Sequence, residues 1–392
     1  MAQEVTILGA GVAGLAVARA LARQGWQVLV LEQADAIREV GAGLQIGPNG
    51  AAVIDALGLG DAMRAASVRA QAVALKDGLS GANVLRMDMA AHYPALGWHF
   101  LHRADLIDIL ANGAREAGVQ IRLLHKIDQV DLSGPRPRIV TAQGAEFLPG
   151  TLIGADGLHS PTRAALNGAA APFFTGQVAW RAVVPEMPGA DAVAEVHMGP
   201  GRHLVSYPLR GGRWRNIVAV EERKAWVQES WSLRDDAMEL RLAFQGFAPR
   251  VQGWLEQAQD VWLWGLFRHP IAPVWQRVMP EGAVAILGDA AHPTLPFLAQ
   301  GASMALEDAW SLAQALGQGQ QTLPAWQAAR APRCARIVQA ANRNARAYHL
   351  SGLPRFVGHT ALRIGNAVAP DLALKRFDWL YGFDVTKART GA

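Results

Sequence analysis

The stretch Val5-Thr6-Ile7-Leu8-Gly9-Ala10-Gly11-Val12-Ala13-Gly14-Leu15 decides how this chain is read. A short apolar run enters a glycine-rich turn, as a buried parallel strand would. Beyond it, Gly14 to Arg23 is rich in Ala, Leu and Val with Arg19 and Arg23 on one side, the pattern of a helix. Trp26 to Leu31 is apolar again and reads as a second strand. Strand, helix and strand together take about 30 residues, the size of a βαβ crossover. Gly9, Gly11 and Gly14 therefore stand at G-x-G-x-x-G spacing in the context where that spacing has a mechanism. Gly9 permits the tight turn, Gly11 lets the backbone approach a pyrophosphate, and Gly14 lets helix and strand pack closely. The helix N-terminus adds a partial charge of about +0.5 in front of the phosphates. Glu32, at the end of the second strand, can accept hydrogen bonds from ribose hydroxyls and would repel a 2′-phosphate. Ala13 in the turn and Gln33 beside Glu32 complete this first set of cofactor-binding candidates. The set does not by itself separate FAD from NAD.

The rest of the chain is layered around this unit. A length of 392 residues allows two or three domains, and 51% hydrophobic with 18% charged residues describes a globular protein. The formal net charge of +4 is scattered without a Lys/Arg run, which argues against nucleic acid and is compatible with anionic small molecules. A single cysteine, Cys334, excludes an intrachain disulfide or redox dithiol, and no Cys/His cluster has metal-ligand spacing, so no metal is expected. Neither a signal peptide nor an apolar run of about 18 residues is seen, and a cytoplasmic protein without a membrane span is expected. Residues 104–117 read as a helix, 120–124 as a strand, 138–148 as a hairpin, and 151–154 as a strand entering a glycine turn. From about 171 to 279 short runs punctuated by Gly and Pro, crowded with tryptophan, point to an inserted antiparallel sheet with a helix. A buried strand returns at 283–287, an amphipathic helix follows from Ala302 to Leu316, and helical segments broken at Pro324, Pro332, Pro354 and Pro370 run to the end.

Two further motifs sit at strand ends. Gly288-Asp289-Ala290-Ala291-His292-Pro293 follows the 283–287 strand and leads through Thr294-Leu295-Pro296-Phe297-Leu298-Ala299-Gln300-Gly301-Ala302 into the long helix. An Asp there can bond a polyol chain and is costly at the end of an apolar strand unless paired. A helix starting at Gly301 or Ala302 aims free N–H groups forward, and at a flavin N1–C2=O edge they would favour the anionic reduced ring. NAD has neither the polyol nor that need. The other motif is Gly154-Ala155-Asp156-Gly157-Leu158-His159-Ser160-Pro161-Thr162-Arg163, whose acid could equally cap its own turn.

In this order the three motifs resemble the class A flavoprotein aromatic hydroxylases, the family of p-hydroxybenzoate hydroxylase. Gly41-Ala42-Gly43-Leu44-Gln45-Ile46-Gly47-Pro48-Asn49, the Leu295–Ala302 stretch and Asp378-Trp379-Leu380-Tyr381-Gly382-Phe383-Asp384 are similar to its salicylate hydroxylase and 3-hydroxybenzoate 6-hydroxylase branch. The resemblance covers nearly the whole chain. It implies an α/β fold: a Rossmann-like FAD-binding domain (1–75, 100–170 and 280–345) interrupted by a mostly antiparallel β-sheet substrate domain (76–99 and 171–279), with a helical C-terminus (346–392) compatible with a homodimer. It implies that Gly9, Gly11, Gly14 and Glu32 hold the ADP half of FAD, and that Arg103 lies near the phosphate and ribityl region. Asp289 would bind the ribityl chain, Asp156-Gly157 would form the second fingerprint, and Arg38 would be a flavin-side arginine. Pro293 and Pro296 would flank the ring, Pro293 being counted with the catalytic candidates, and Gly301 and Ala302 would offer it N–H groups.

The activity so implied is aromatic hydroxylation. NADH or NADPH reduces FAD in a transient encounter, O₂ gives a flavin C4a-hydroperoxide, and its terminal oxygen attacks an electron-rich ring carbon. A base for the phenolic proton and exclusion of water are then needed. On the strand His203-Leu204-Val205-Ser206-Tyr207-Pro208, residues His203, Val205 and Tyr207 share a face. Ser206 stands where a histidine would be looked for. Tyr207 is the first candidate for substrate contact and His203 the second. His292 could be catalytic or could stabilise its turn, and Arg181 and Arg210 could meet a substrate carboxylate. Competing readings are a hydroxylase or epoxidase of a larger polycyclic or quinone-like substrate, a flavin dehydrogenase without oxygen insertion, and a flavin- or NAD-binding protein without turnover.

Overall fold

A computed structural model describes residues 3–37, 42–187, 189–223 and 233–388. The opening motif forms as the pattern requires: strand Glu4–Leu8, helix Val12–Ala22 and strand Gln27–Leu31. These strands lie in a six-stranded sheet whose order is Gln276–Met279, Gly282–Ile286, Thr151–Gly154, Glu4–Leu8, Gln27–Leu31, Gln120–Arg122. All neighbours are parallel except the first pair. This order sets the C-terminal ends of three strands, at Ile286, Gly154 and Leu8, side by side, so motifs far apart in the chain meet at one sheet edge. The helices Val12–Ala22 and Gly301–Gly317 pack together over this sheet. Val17, Leu21, Ile153, Leu306 and Leu312 are among the fully buried residues of the shared core.

The inserted sheet has eight strands, in the order Arg234–Asp235, Val261–Arg268, Phe173–Pro185, Trp214–Glu222, Arg202–Leu209, Val193–Gly199, Ala72–Asp77, Asn83–Asp88. Every pairing is antiparallel except that of Val193–Gly199 with Ala72–Asp77. The expected boundary between 75 and 76 thus cuts a strand; hydrogen bonding assigns residues 72–77 to the larger sheet as one unit. The outer face, with Trp180, Leu204 and Ile217, packs on helices Ala237–Ala243 and Pro249–Glu256. On the inner face Ala179, Val220, Trp264 and Leu266 pack against Leu295 and Phe297 of the third motif. The tryptophan crowding read from the sequence is in part this two-sided packing.

The C-terminal region departs from the reading in one respect. Helix Leu323–Tyr348 runs through Pro332 without a break. Pro324 stands in that helix's first turn and Pro354 in the first turn of Gly352–Val368, where a missing N–H costs no helical bond. Pro332 gives up one internal bond, and the helix holds because its own Trp326, Cys334 and Ile337 are buried in the core. No described helix is long and apolar enough to cross a membrane.

Candidate functional site

The three motifs converge at the sheet edge through backbone hydrogen bonds. Gly9 N–H donates to Leu31 O (2.8 Å), Ala155 N–H to Leu8 O (2.9 Å) and Leu287 N–H to Gly154 O (3.1 Å). Gly9 takes φ +97°, and a Cβ there would lie 2.4 Å from Ala155 O; one at Gly14 would lie 2.0 Å from Gly9 O. Both positions therefore require glycine for the packing of the turn itself. Gly11 differs: a Cβ built on it meets nothing within 4 Å. The turn encloses a hollow in front of helix Val12–Ala22, whose N-terminus no side chain caps. Glu32 closes one side, accepting from Ala10 N–H (2.7 Å) and Ala34 N–H (2.9 Å), while Gln33 beside it is exposed. Gly288 takes φ +62°, and a Cβ added there would lie 3.1 Å from Ala13 Cβ, so the third motif packs closely on the first. Helix Gly301–Gly317 also begins without a side-chain cap, so Gly301 and Ala302 present their N–H groups forward. A glycine hollow, two uncapped helix starts and acids at the strand ends fit an extended dinucleotide such as FAD.

The other cofactor candidates are placed as follows. Arg103 opens helix Arg103–Glu116, its N–H donating to Ala42 O (3.0 Å). Asp156 is tied to its own turn, accepting from the Thr162 N–H (3.2 Å) and Thr162 Oγ1 (2.7 Å), and burial pushes its carboxyl up. Gly157 follows at φ +76°. Asp289 is exposed, which corrects the argument from the cost of burying it: the single 3-10 turn Gly288–Ala290 rotates the carboxylate out of the strand end. Pro293 is buried and Pro296 exposed, on either side of Leu295. Arg38 and Gly41 lie outside the described residues.

The inner face of the large sheet carries the substrate candidates. His203 and Tyr207 are both buried there, as the alternation requires, whereas Ser206 points to the outer face and accepts from Arg215 Nη1 (3.0 Å). Position 206 therefore faces away from the side that carries His203 and Tyr207. Tyr207 packs against Phe100 (ring centroids 5.2 Å apart) and beside Gly43, whose N–H donates to Asn216 Oδ1 (2.7 Å). Burial raises the Tyr207 hydroxyl above its ordinary value of 10, so it stays protonated. The His203 ring lies 5.6 Å from Phe297 and 5.1 Å from Tyr348, and its Nδ1 is 2.7 Å from His349 Nε2. Burial, and secondarily His349, hold His203 well below 6.5, so it is neutral. Arg181 is buried on the same face with its guanidinium 4.6 Å above the Trp264 ring. Arg210 is not: it is half-exposed beyond the strand end and pairs with Asp105 (3.0 Å). It takes φ +47° in the short turn Arg210–Gly212 that follows the strand.

A buried ionic network, missed in the sequence, stands behind the third motif. His292 pairs with Asp308, and Arg330 bonds Asp308 (Nε, 2.9 Å) and Glu307 (Nη1, 2.7 Å). Arg333 grips Glu307 (2.8 Å) and donates to the carbonyls of Trp379 (2.8 Å) and Leu380 (2.9 Å), so the C-terminal motif is held to the same cluster. Asn49 bridges Gln300 (2.9 Å) and Glu307 (2.7 Å). Burial alone would lower His292; Asp308 overrides this and holds it well above 6.5, while His292 and Arg330 hold Asp308 at about 2. His292 is thus engaged in a structural pair. Atoms of His292, Asp308 and Cys334 lie within 4.8 Å of one another, but Arg330 already supplies a positive charge there, which opposes a cation. The signal was available: Glu307-Asp308 interrupts an apolar helix, and Arg330 and Arg333 share a face of the next.

Residues 2–341 match the family model described as FAD binding domain. The chain is 34% identical to 3-hydroxybenzoate 6-hydroxylase of Polaromonas naphthalenivorans (strain CJ2), over 97% of this chain and 96% of that protein. It is 31% identical to 3-amino-4-hydroxybenzoate 2-monooxygenase PtnB3 of Streptomyces platensis, over 97% and 96%. Among solved structures it is similar to Klebsiella pneumoniae HpxO complexed with FAD and uric acid, with a TM-score of 0.80, 25% identity and coverage of 93% and 94%. With its motifs brought to one sheet edge and these likenesses over nearly its full length, the chain belongs to the FAD-binding-domain family, among the class A flavoprotein aromatic hydroxylases.

Proposed function

We propose that this protein is an FAD-dependent monooxygenase that uses NADH or NADPH and O₂ to hydroxylate a small phenolic acid of the hydroxybenzoate type. The observation that carries this reading is the inner face of the sheet, where a neutral His203, a protonated Tyr207 and a buried Arg181 stand in an apolar wall closed by Leu295 and Phe297 of the cofactor motif. FAD, when bound, draws reducing equivalents from the nicotinamide and activates O₂ for transfer of one oxygen atom. The chain's residues do the rest. Gly11 and the uncapped helix start receive the pyrophosphate, Glu32 the ribose, and Asp289 the ribityl chain. Trp264, Val220, Leu295 and Phe297 keep water from the ring, which couples nicotinamide oxidation to hydroxylation. His203, with Nδ1 engaged and Nε2 without a hydrogen-bonding partner among the described residues, takes the phenolic proton at Nε2. Tyr207 cannot act as the base at neutral pH and serves as a hydrogen-bond donor to the substrate. Arg181 meets the carboxylate.

The test is nicotinamide oxidation in air with a panel of hydroxybenzoates and uncharged phenols, on the wild type and Arg181→Met. One hydroxybenzoate should accelerate oxidation by the wild type. In the variant its KM should rise about 10- to 100-fold, the worth of a charged hydrogen-bonded pair, with little change for uncharged phenols. Equal losses on both classes would remove Arg181 from the carboxylate site and favour a larger, uncharged substrate.

A further inference from the structure

Resting on the assignment of His203 as the base, we propose that His203, His349 and Glu222 form a proton relay carrying the phenolic proton from the closed substrate face to solvent. His203 Nδ1 lies 2.7 Å from His349 Nε2, and His349 Nδ1 lies 2.8 Å from Glu222 Oε1. The three residues come from two neighbouring strands and the C-terminal cap of helix Leu323–Tyr348. Burial falls outward along the line: His203 is 1% exposed, His349 7%, and the Glu222 side chain 54%. A buried base needs such an outlet, because a proton stranded on His203 would leave an imidazolium in an apolar wall beside Phe297.

Polarity fixes the direction. Each histidine carrying its hydrogen on Nδ1 satisfies both bonds: His203 donates to His349 Nε2, and His349 donates to Glu222. The substrate O–H gives its proton to His203 Nε2, His203 Nδ1–H passes to His349 Nε2, and His349 Nδ1–H passes to the Glu222 carboxylate and on to water. One proton enters and one leaves, both imidazoles end neutral in the other tautomer, and the substrate is left as phenolate. No imidazolium persists, in keeping with burial holding both histidines below 6.5. The other charges facing the line are Arg202, which disfavours a cationic His349, and its partner Glu221 at 3.5 Å. Arg223 is drawn off by Glu221 (2.9 Å). Tyr348, packed on His203, has its hydroxyl pushed up to about 12 and does not compete for the proton.

The experiment mixes the oxidised holoenzyme with 3-hydroxybenzoate in weak buffer in a stopped-flow instrument, following proton release with an indicator dye and phenolate formation by ultraviolet absorbance. His349→Gln retains an acceptor for His203 Nδ1–H and so keeps the ring in place, but cannot pass the proton on. The relay predicts proton release about 10²-fold slower in His349→Gln, at the low end of what a positioned base contributes. It predicts a smaller loss in the surface variant Glu222→Gln and unchanged flavin content in both. Restoration of fast release by free imidazole in His349→Ala would add support. Release from His349→Gln as fast as from wild type would overturn the relay while leaving the hydroxylase reading intact. A wild-type enzyme that neither binds hydroxybenzoates nor oxidises nicotinamide faster in their presence would overturn both.

Discussion

A Gly11→Val variant is expected to fold normally and purify without flavin. Gly11 has φ −80° and ψ −173°, an extended conformation open to any residue, and its Cβ position has no neighbour within 4 Å. The valine therefore intrudes only on the hollow in front of the helix, where the pyrophosphate belongs. Losing even one or two charge-assisted hydrogen bonds there weakens FAD binding by about 10²-fold or more. Flavin fluorescence titration of the purified apoprotein measures this, with thermal unfolding as the control. The comparison with Gly14→Val is diagnostic. There the new Cβ would sit 2.0 Å from Gly9 O, so that variant should lose stability as well as flavin. A Gly11→Val protein that binds stoichiometric FAD would show that the hollow is not the pyrophosphate site.

Asp308→Asn is expected to destabilise the fold by about 3–5 kcal/mol, the usual cost of removing one partner from a buried ion pair. Asp308 is fully buried and neutralises both His292 and Arg330. The amide leaves Arg330 with Glu307 as its remaining carboxylate and leaves His292 without its counter-charge. The pH dependence follows from the signs. Asp308 is held at about 2, below its ordinary 3.8, so its contribution is complete above pH 3.8 and disappears as pH falls through about 2. His292 is held above 6.5, so its contribution is complete below pH 6.5 and fades as pH rises through that raised value. The wild type should be most stable between these limits, and the variant should lose the acid limb. Urea unfolding as a function of pH measures it; equal stability of the two proteins would contradict the pairing.

How much of this was legible in the sequence depends on the distance over which each constraint acts. Gly9, Gly11, Gly14 and Gly288 answer to turns a few residues long, so local spacing revealed them, and parallel strand order then brought their turns together. The shared face of His203 and Tyr207 followed from strand alternation alone. Pro332 was misjudged because a long helix with one face buried in the core can tolerate one lost bond, which propensity does not register. The burial expected of Asp289 was misjudged because a single 3-10 turn decides between burial and exposure. The contacts of His349 with Glu222 and His203 span 127 and 146 residues and leave no local periodicity to read. Arg210 looked equivalent to Arg181 until a turn at the sheet edge gave it Asp105 instead.

The measurement to make first is turnover under ¹⁸O₂ with NADH or NADPH and the hydroxybenzoate that accelerates nicotinamide oxidation. A flavin monooxygenase with a closed, dry substrate face should give product carrying one ¹⁸O atom for each nicotinamide oxidised, with little hydrogen peroxide. Nicotinamide oxidised with the phenol unchanged and all the label in peroxide, or a product whose new oxygen comes from water, would contradict oxygen insertion by this protein.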